Sequence, residues 1–155
     1  MQVKNVVFEK ILEEEKKHGE LEFGGWLVID NGIVSDIIFD TKKQSIGYVK
    51  FDSKNLLAVP KKTRNRVRGW FHKHPINGLS GLDWKTTFKL TQFWKECYTL
   101  VLQANRKVLA MKTAYGKEIS TVYPDFMPQL NWSTFFEIDR SEFEVAKCQT
   151  DSKIK

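Results

Sequence analysis

The run Val67-Arg68-Gly69-Trp70-Phe71-His72-Lys73-His74-Pro75 constrains this chain more than any other stretch. It is an apolar segment that ends in two histidines and a proline. In a strand, alternate side chains share a face. His72 and His74 then project to one side, with about 6–7 Å between their Cα atoms, and Lys73 points the other way. Pro75 has no N–H for a ladder, and it holds His74 extended. The strand therefore stops where two imidazoles stand together. Asn77-Gly78 turns the chain, and Ser80 and Asp83 follow in the pattern S-x-x-D. A helical pattern comes next, with Trp84, Phe88, Thr91 and Trp94 near one face. Asp83 falls in its first turn and can offer a carboxylate oxygen. Two imidazoles and one carboxylate leave a tetrahedral zinc one open position, which is the catalytic arrangement.

Each piece also has a plainer reading. A His-x-His pair alone is a weak motif. Ser80 and Asp83 also spell a helix start, with a serine cap and an acidic group three residues on. Taken singly, the plain readings win. His72 to Asp83 spans twelve residues, and a proline stop and a turn lie within that span. Together these features favour a metal site.

The string H-x-H-P…S-x-x-D resembles the signature of the JAMM (MPN+) metalloproteases. That family also uses a glutamate two residues before a glycine that opens an apolar strand. Glu22-Phe23-Gly24-Gly25-Trp26-Leu27-Val28-Ile29 fits this pattern. The resemblance covers residues 3–115 and includes all five motif residues in order. One departure is the stretch between His74 and Ser80, which is five residues long, Pro75 to Leu79, and shorter than the family pattern. The resemblance implies a compact prokaryotic-type, stand-alone member with a cytidine-deaminase-like MPN fold. It implies zinc held by His72, His74 and Asp83, with Glu22 as general base and Ser80 as hydrogen-bond donor to an oxyanion. It implies hydrolysis of the amide or isopeptide bond after the C-terminal glycine of a ubiquitin-like modifier or sulfur-carrier protein. Glu20 is the local rival for the base and would share a strand face with Glu22.

The rest of the chain supplies a frame. Its 155 residues suit one domain. The reading is a single catalytic domain over 1–147 and a polar tail over 148–155. No apolar run reaches the ~18 residues of a membrane span, and charges interrupt the N-terminus where a leader would lie. Cys97 and Cys148 read as free thiols of a reducing, cytoplasmic compartment. The formal charge is +6, much of it in Lys61-Lys62-Thr63-Arg64-Asn65-Arg66-Val67-Arg68. No nucleic-acid motif accompanies this run, so nucleic acid is not an expected partner. A non-catalytic MPN-type scaffold ranks second among the readings, and a nucleic-acid-binding module ranks third.

In chain order, the spacing of Val3, Val6, Val7, Ile11 and Leu12 predicts a helix over 3–17. His18 lies at its end, where a positive charge is favoured, and is given no catalytic role. Strands follow over 23–30 and 33–40, joined by Asn31-Gly32. The second does not alternate cleanly, which suggests cover on both faces. Residues 41–45 read as a polar loop and 48–51 as a short strand. Asp52 or Ser53 would cap a helix from Lys54, with Leu56, Leu57 and Val59 inward and a second start at Pro60. After the site come a helix over 83–95 and strands over 98–103 and 108–115. Residues 132–146 read as a helix or as holding a short strand. The sum is an α/β (α+β type) domain with a mixed, mainly antiparallel sheet flanked by helices.

Overall fold

The computed structural model describes residues 2–45, 48–51, 53–115 and 130–138. Seven strands form one sheet: β1 (Gln2–Val3), β2 (Gly24–Asp30), β3 (Ile33–Phe39), β6 (Val67–Lys73), β7 (Glu96–Leu102), β8 (Val108–Tyr115) and β9 (Leu130–Ile138). Their order across the sheet is β1-β3-β2-β6-β7-β8-β9, and β4 (Thr41–Ser45) and β5 (Tyr48–Phe51) form a separate ribbon. The β2–β3, β2–β6, β7–β8 and β8–β9 pairs are antiparallel, and β1–β3 and β6–β7 are parallel. The mainly antiparallel α+β architecture is therefore as expected.

Two helices of 14 residues each shape the domain: α1 (Asn5–His18) and α4 (Gly81–Trp94). Short α2 (Lys54–Ala58) and α3 (Lys61–Arg64) precede β6. On one face, Val7, Phe8 and Ile11 of α1 join Leu27, Phe71, Leu100, Leu102, Val108 and Ala110 in a single buried apolar cluster. Each fully buried Val, Leu, Ile or Phe side chain among these contributes about 1.5–3 kcal/mol. On the other face, α4 bridges β6 to its parallel neighbour β7. A parallel pair needs such a crossover. The carboxyl end of β6 then lies where its neighbours run in opposite senses, a position that forms a crevice in open sheets.

Several local expectations need correction. The N-terminal helix begins at Asn5, because Gln2 and Val3 pair with Ile33 and Val34 instead. Val6 faces out, and Phe8 takes the inward place. The uneven pattern of β3 comes from a bulge, not from cover on both faces. Val28 pairs with Asp36 and Ile29 with Val34, so Ser35 is the extra residue. Its hydroxyl donates to Asp30 Oδ2 at 2.8 Å and lies 3.2 Å from Val28 O. The extra residue shifts the alternation by one. Asn31 and Gly32 have φ of 50° and 75°, which fits the type I′ hairpin turn.

Thr41–Ser45 is strand β4, paired with β5, and not a loop. A polar strand carries little hydrophobic signal, and a ribbon partner decides it. Helix α2 starts at Lys54 after Ser53, yet no side-chain cap bond comes from Ser53. The buried Asp40 carboxylate accepts from Asn55 N and Leu56 N, both at 2.9 Å, and so caps α2 from across the chain. Leu57 is 63% exposed, and Leu56 and Val59 are only half-buried, so this helix has no buried face. Residues 130–138 form strand β9 along β8, so the strand alternative holds there. The expectations for 139–146, the 147/148 boundary, the tail and Cys148 lie outside the described residues, as do the side chains of Trp84 and Phe88. No helix among the described residues is long and apolar enough to cross a membrane.

Candidate metal centre

Backbone register brings the candidate residues together. Gly24 of β2 faces His72 of β6, and Lys73 N donates to Phe23 O at 2.9 Å. One step further in the same antiparallel register sets Glu22 opposite His74. A Cβ on Gly25 would strike Ile38 O, so glycine there lets β3 approach β2. On the other side of β6, a Cβ on Gly69 would strike Tyr98 O. Glycine thus allows β7 to close on the strand that carries the histidines. Strand β6 ends at Lys73, but His74 N donates to Leu102 O at 2.9 Å, so the second histidine stays tied to β7.

The short loop after Pro75 is pinned to the β7–β8 hairpin. Gly78, at φ 81°, donates its N–H to Gln103 Oε1 at 2.7 Å. Asn77 Oδ1 accepts from Asn105 N at 2.9 Å. These bonds deliver Ser80 to the start of α4. There, Ser80 N donates to Asp83 Oδ2 at 2.7 Å and Asp83 N donates to Ser80 Oγ at 3.2 Å. This is a complete capping box. It does not use up the groups for other roles. The serine oxygen accepts, so its hydroxyl hydrogen remains a donor. The other carboxylate oxygen, Asp83 Oδ1, lies 3.3 Å from His72 Nε2. Asp83 Oδ2 lies 3.5 Å from His74 Nε2.

Glu22, His72 and His74 each offer one ligand atom, and the three atoms lie within 4.8 Å of one another. All three residues are buried, and so is Asp83. The cluster therefore brings two carboxylates to one pair of imidazoles. Nδ1 of His72 and of His74 are buried without a hydrogen-bond partner among the described residues, and His72 Nε2 makes no hydrogen bond either, although the Asp83 carboxylate stands 3.3 Å away. Such atoms are costly to bury unless something coordinates them. The donor set and the orphaned nitrogen fit a metal ion.

The two carboxyls differ in protonation. Burial pushes Glu22 up from 4.5 to about 7, with His72 opposing and Asp83 reinforcing the rise. Burial also acts upward on Asp83, but His72, the Ser80 N–H and His74 outweigh it and hold this carboxyl below its ordinary value. His74 is pulled below the usual histidine value by burial and then by His72, with Asp83 opposing. At neutral pH the site thus holds an anionic Asp83, a neutral His74 and a Glu22 poised between states. Neutral imidazole and ionised carboxylate are the ligating forms. Carboxyls pushed apart in this way mark a division of labour.

Glu20 is set apart from this group. It lies in the turn after α1, not on a strand, and it is exposed. It lines an open cleft of about 310 Å³ beside Lys73, His74, Pro75, Gln103 and Arg106. His18 stacks on Phe23 with centroids 4.9 Å apart and lies 3.2 Å from Glu14, away from the cluster.

Sequence reasoning missed the supports. Trp70 lies flat on His72, with centroids 4.8 Å apart and planes at 6°, and its Nε1 donates to Thr87 Oγ1 at 3.3 Å. Its place two residues before His72, on the same strand face, was the available signal. Gln103 had none, because its loop contact closes across 25 residues. Cys97 is fully buried, its thiol is pushed up to about 12, and it has no place in the chemistry.

No family model matches the chain. A protein from Desulfitobacterium hafniense, known from its solution structure, aligns with a TM-score of 0.52 at 17% identity, over 84% of this chain and 88% of its own, and shares the fold. A JAB1/MPN domain protein from Archaeoglobus fulgidus aligns with a TM-score of 0.41 at 21% identity, over 70% of this chain and 85% of its own. Among curated proteins, one from Saccharolobus solfataricus carries the description "Putative pterin-4-alpha-carbinolamine dehydratase". It is 31% identical over 87 residues, which span 52% of this chain and 90% of that protein. Over those 87 residues, this chain belongs to the same sequence family as that relative.

Proposed function

We propose that this protein is a zinc-dependent metallo-isopeptidase or peptidase of the JAMM type. Its substrate in this reading is the amide or isopeptide bond after the C-terminal glycine of a ubiquitin-like or sulfur-carrier protein. One observation carries the proposal: two buried histidines and two buried carboxylates meet at the end of β6. The motif resemblance selects the bond.

His72, His74 and Asp83 would hold the zinc. A bound zinc acidifies water to a pKa of about 7 and polarises a carbonyl. Glu22 takes the proton from the attacking water and returns it to the leaving amine. Its burial keeps it near the protonation midpoint at neutral pH. Beside a bound divalent cation, Glu22 would favour its basic form. The Ser80 hydroxyl donates to the developing oxyanion while its oxygen still accepts from Asp83 N. Trp70 fixes the plane of the His72 ring.

The Saccharolobus relative favours a second reading. The description of that protein names a dehydratase for a pterin carbinolamine. Loss of water from a carbinolamine needs acid–base groups and does not require a metal. Glu22 and His74 would supply them.

One experiment separates the readings. Metal content is measured on the purified wild type and on His72→Ala and Asp83→Ala. The same proteins, with and without zinc, are offered modifier–reporter fusions and a pterin carbinolamine. The hydrolase reading expects about one zinc per chain, lost in both variants, and zinc-dependent cleavage. Dehydration without zinc supports the second reading. Zinc content unchanged in both variants removes the metal-site assignment. Zinc bound with no cleavage across a broad panel leaves the scaffold reading.

A further inference from the structure

The basic run 61–68 plays no part in the proposed chemistry. Its members have different fates in the fold. Arg66 is engaged, with Nη1 2.6 Å from both oxygens of Asp30. Arg64 and Arg68 instead line a cleft of about 370 Å³ with Asn65, Phe93 and Trp94. Arg68 gives one N–H to Val67 O, and Arg64 makes a long bond of 3.5 Å to Leu57 O. A guanidinium has five N–H donors, so both retain donors for a ligand. None of the five lining residues is acidic.

The aromatic side of the cleft comes from the far end of α4. Phe93 is 78% exposed, the most exposed large apolar side chain among the described residues. Trp94 is held edge-on against Trp26, with centroids 6.3 Å apart and planes at 88°. Phe93 packs against Trp94 at 6.1 Å. The ring is therefore presented from a rigid base. On the same helix, Lys85, Lys89 and Phe93 are spaced by four and are all exposed, so they form one stripe. Asp83, buried at the other end, is the only acidic residue of α4.

We propose that this cleft and stripe bind single-stranded nucleic acid. Arg64 and Arg68 take phosphate oxygens, Lys85 and Lys89 follow the backbone, and Phe93 offers a face for one base. Cationic grooves with exposed rings recognise single strands in this way. An acidic peptide would satisfy the arginines and leave the Phe93 ring unused. The cleft is the size of a small-ligand site. It lies at the opposite end of α4 from Ser80 and Asp83. The 14 residues of the helix span about 20 Å, so the cleft is separate from the metal centre, and the exposed Lys85, two residues after the buried Asp83, marks the near end of the stripe.

The test uses the full chain and a fluorescent oligothymidine of about twelve nucleotides, long enough for one such site. Affinity is read by anisotropy across a salt series, with polyglutamate of equal charge as competitor. We expect binding that weakens as salt rises. Phe93→Ala should weaken it about tenfold with the salt slope unchanged. Arg64→Gln should weaken it and lower the salt slope by about one. Lys16→Gln, on the exposed side of α1, should bind like wild type. Thermal melts confirm folding, and Phe93→Ala removes only an exposed ring. Absence of binding at low salt overturns the proposal. So does wild-type affinity in Phe93→Ala. If polyglutamate displaces the oligonucleotide at equal charge, the surface is one for an acidic protein and the proposal fails.

Discussion

The two faces of β6 and β7 are built from the same strands and differ in kind. On the α1 face, Phe71, Leu100 and Leu102 join a cluster that holds only apolar and aromatic side chains. On the α4 face, the alternate residues are Trp70, His72, Cys97, Thr99 and Val101, and the helix adds Asp83, Thr87 and Thr91. Both faces are buried. One is closed by dispersion and water exclusion. The other is closed by specific polar pairs, such as Thr91 with Thr113 at 2.7 Å and Trp70 with Thr87. A residue period of two allows this division, because each strand sends alternate side chains to opposite faces. Stability can then rest on one face while the other keeps costly polar groups that could hold a metal ion.

The sharpest way to break this comparison is at Glu22, on the polar side. Glu22→Gln keeps the shape and removes the proposed proton acceptor, so turnover should fall about 10²–10⁴-fold. Zinc content should not change. Glu20→Gln, in the exposed turn, should stay near wild type. If Glu20→Gln is the inactive variant in the modifier–reporter assay, the wrong carboxylate has been assigned.

The next largest effect belongs to the apolar face. Phe71→Ala should cost about 3–5 kcal/mol, as expected for a buried phenylalanine. The protein that remains folded should still bind zinc, because Phe71 points away from the histidines. Urea unfolding with metal analysis of the folded fraction measures both. Loss of metal in fully folded Phe71→Ala would show that the faces are coupled.

Ser80→Ala separates the observed capping role of this hydroxyl from its proposed role as oxyanion donor. Loss of an oxyanion donor costs about 10²–10³-fold in turnover. Loss of a helix cap costs about 0.5–2 kcal/mol of stability. The expected result is a strong fall in turnover with zinc and fold retained. A fall that only tracks the folded fraction assigns Ser80 to capping alone.

The metal-free protein should also show the cost of burying Glu22. Below pH of about 4.5, this carboxyl is neutral in both folded and unfolded chains, and its contribution is unpenalised. As pH rises towards about 7, the unfolded chain ionises first and the folded state loses stability. The loss is on the order of 3 kcal/mol, from 1.36 kcal/mol per pKa unit. Denaturant melts of chelated wild type and Glu22→Gln, between pH 4.5 and 8, should diverge as pH rises, with the variant more stable at the upper end. Parallel curves would mean that Glu22 is solvated.

The smallest effect is at Thr91→Val. This removes one partner of a buried hydroxyl pair and should cost about 1–3 kcal/mol, because Thr113 is left with one bond fewer. Thermal melts suffice. A neutral result would mean that the polar face tolerates apolar packing as well as its opposite does.

Much of the candidate site was legible because it depends on short-range order. A strand period, a proline stop and an S-x-x-D start place His72, His74, Ser80 and Asp83 within twelve residues. The Asn31-Gly32 turn was legible for the same reason, since its backbone demands φ > 0 at both positions. Asp40 was not, because it caps a helix 15 residues away. The bulge at Ser35 was hidden as well, since the sequence shows a broken alternation but not which strand holds the extra residue.

The sequence by itself determined which groups could do chemistry and which local elements carry them. Periodicity and turn chemistry act over a few residues, and so they can be read without a fold. The tertiary structure alone decided their company. It set Glu22 opposite His74 through the β2–β6 register, placed Trp70 and Thr87 behind His72, and left Glu20 in the exposed turn. It also brought Arg64 and Arg68 to Phe93 and Trp94. Protonation followed from that company, because the shift of a carboxyl depends on burial and neighbouring charge, and only the folded chain fixes either.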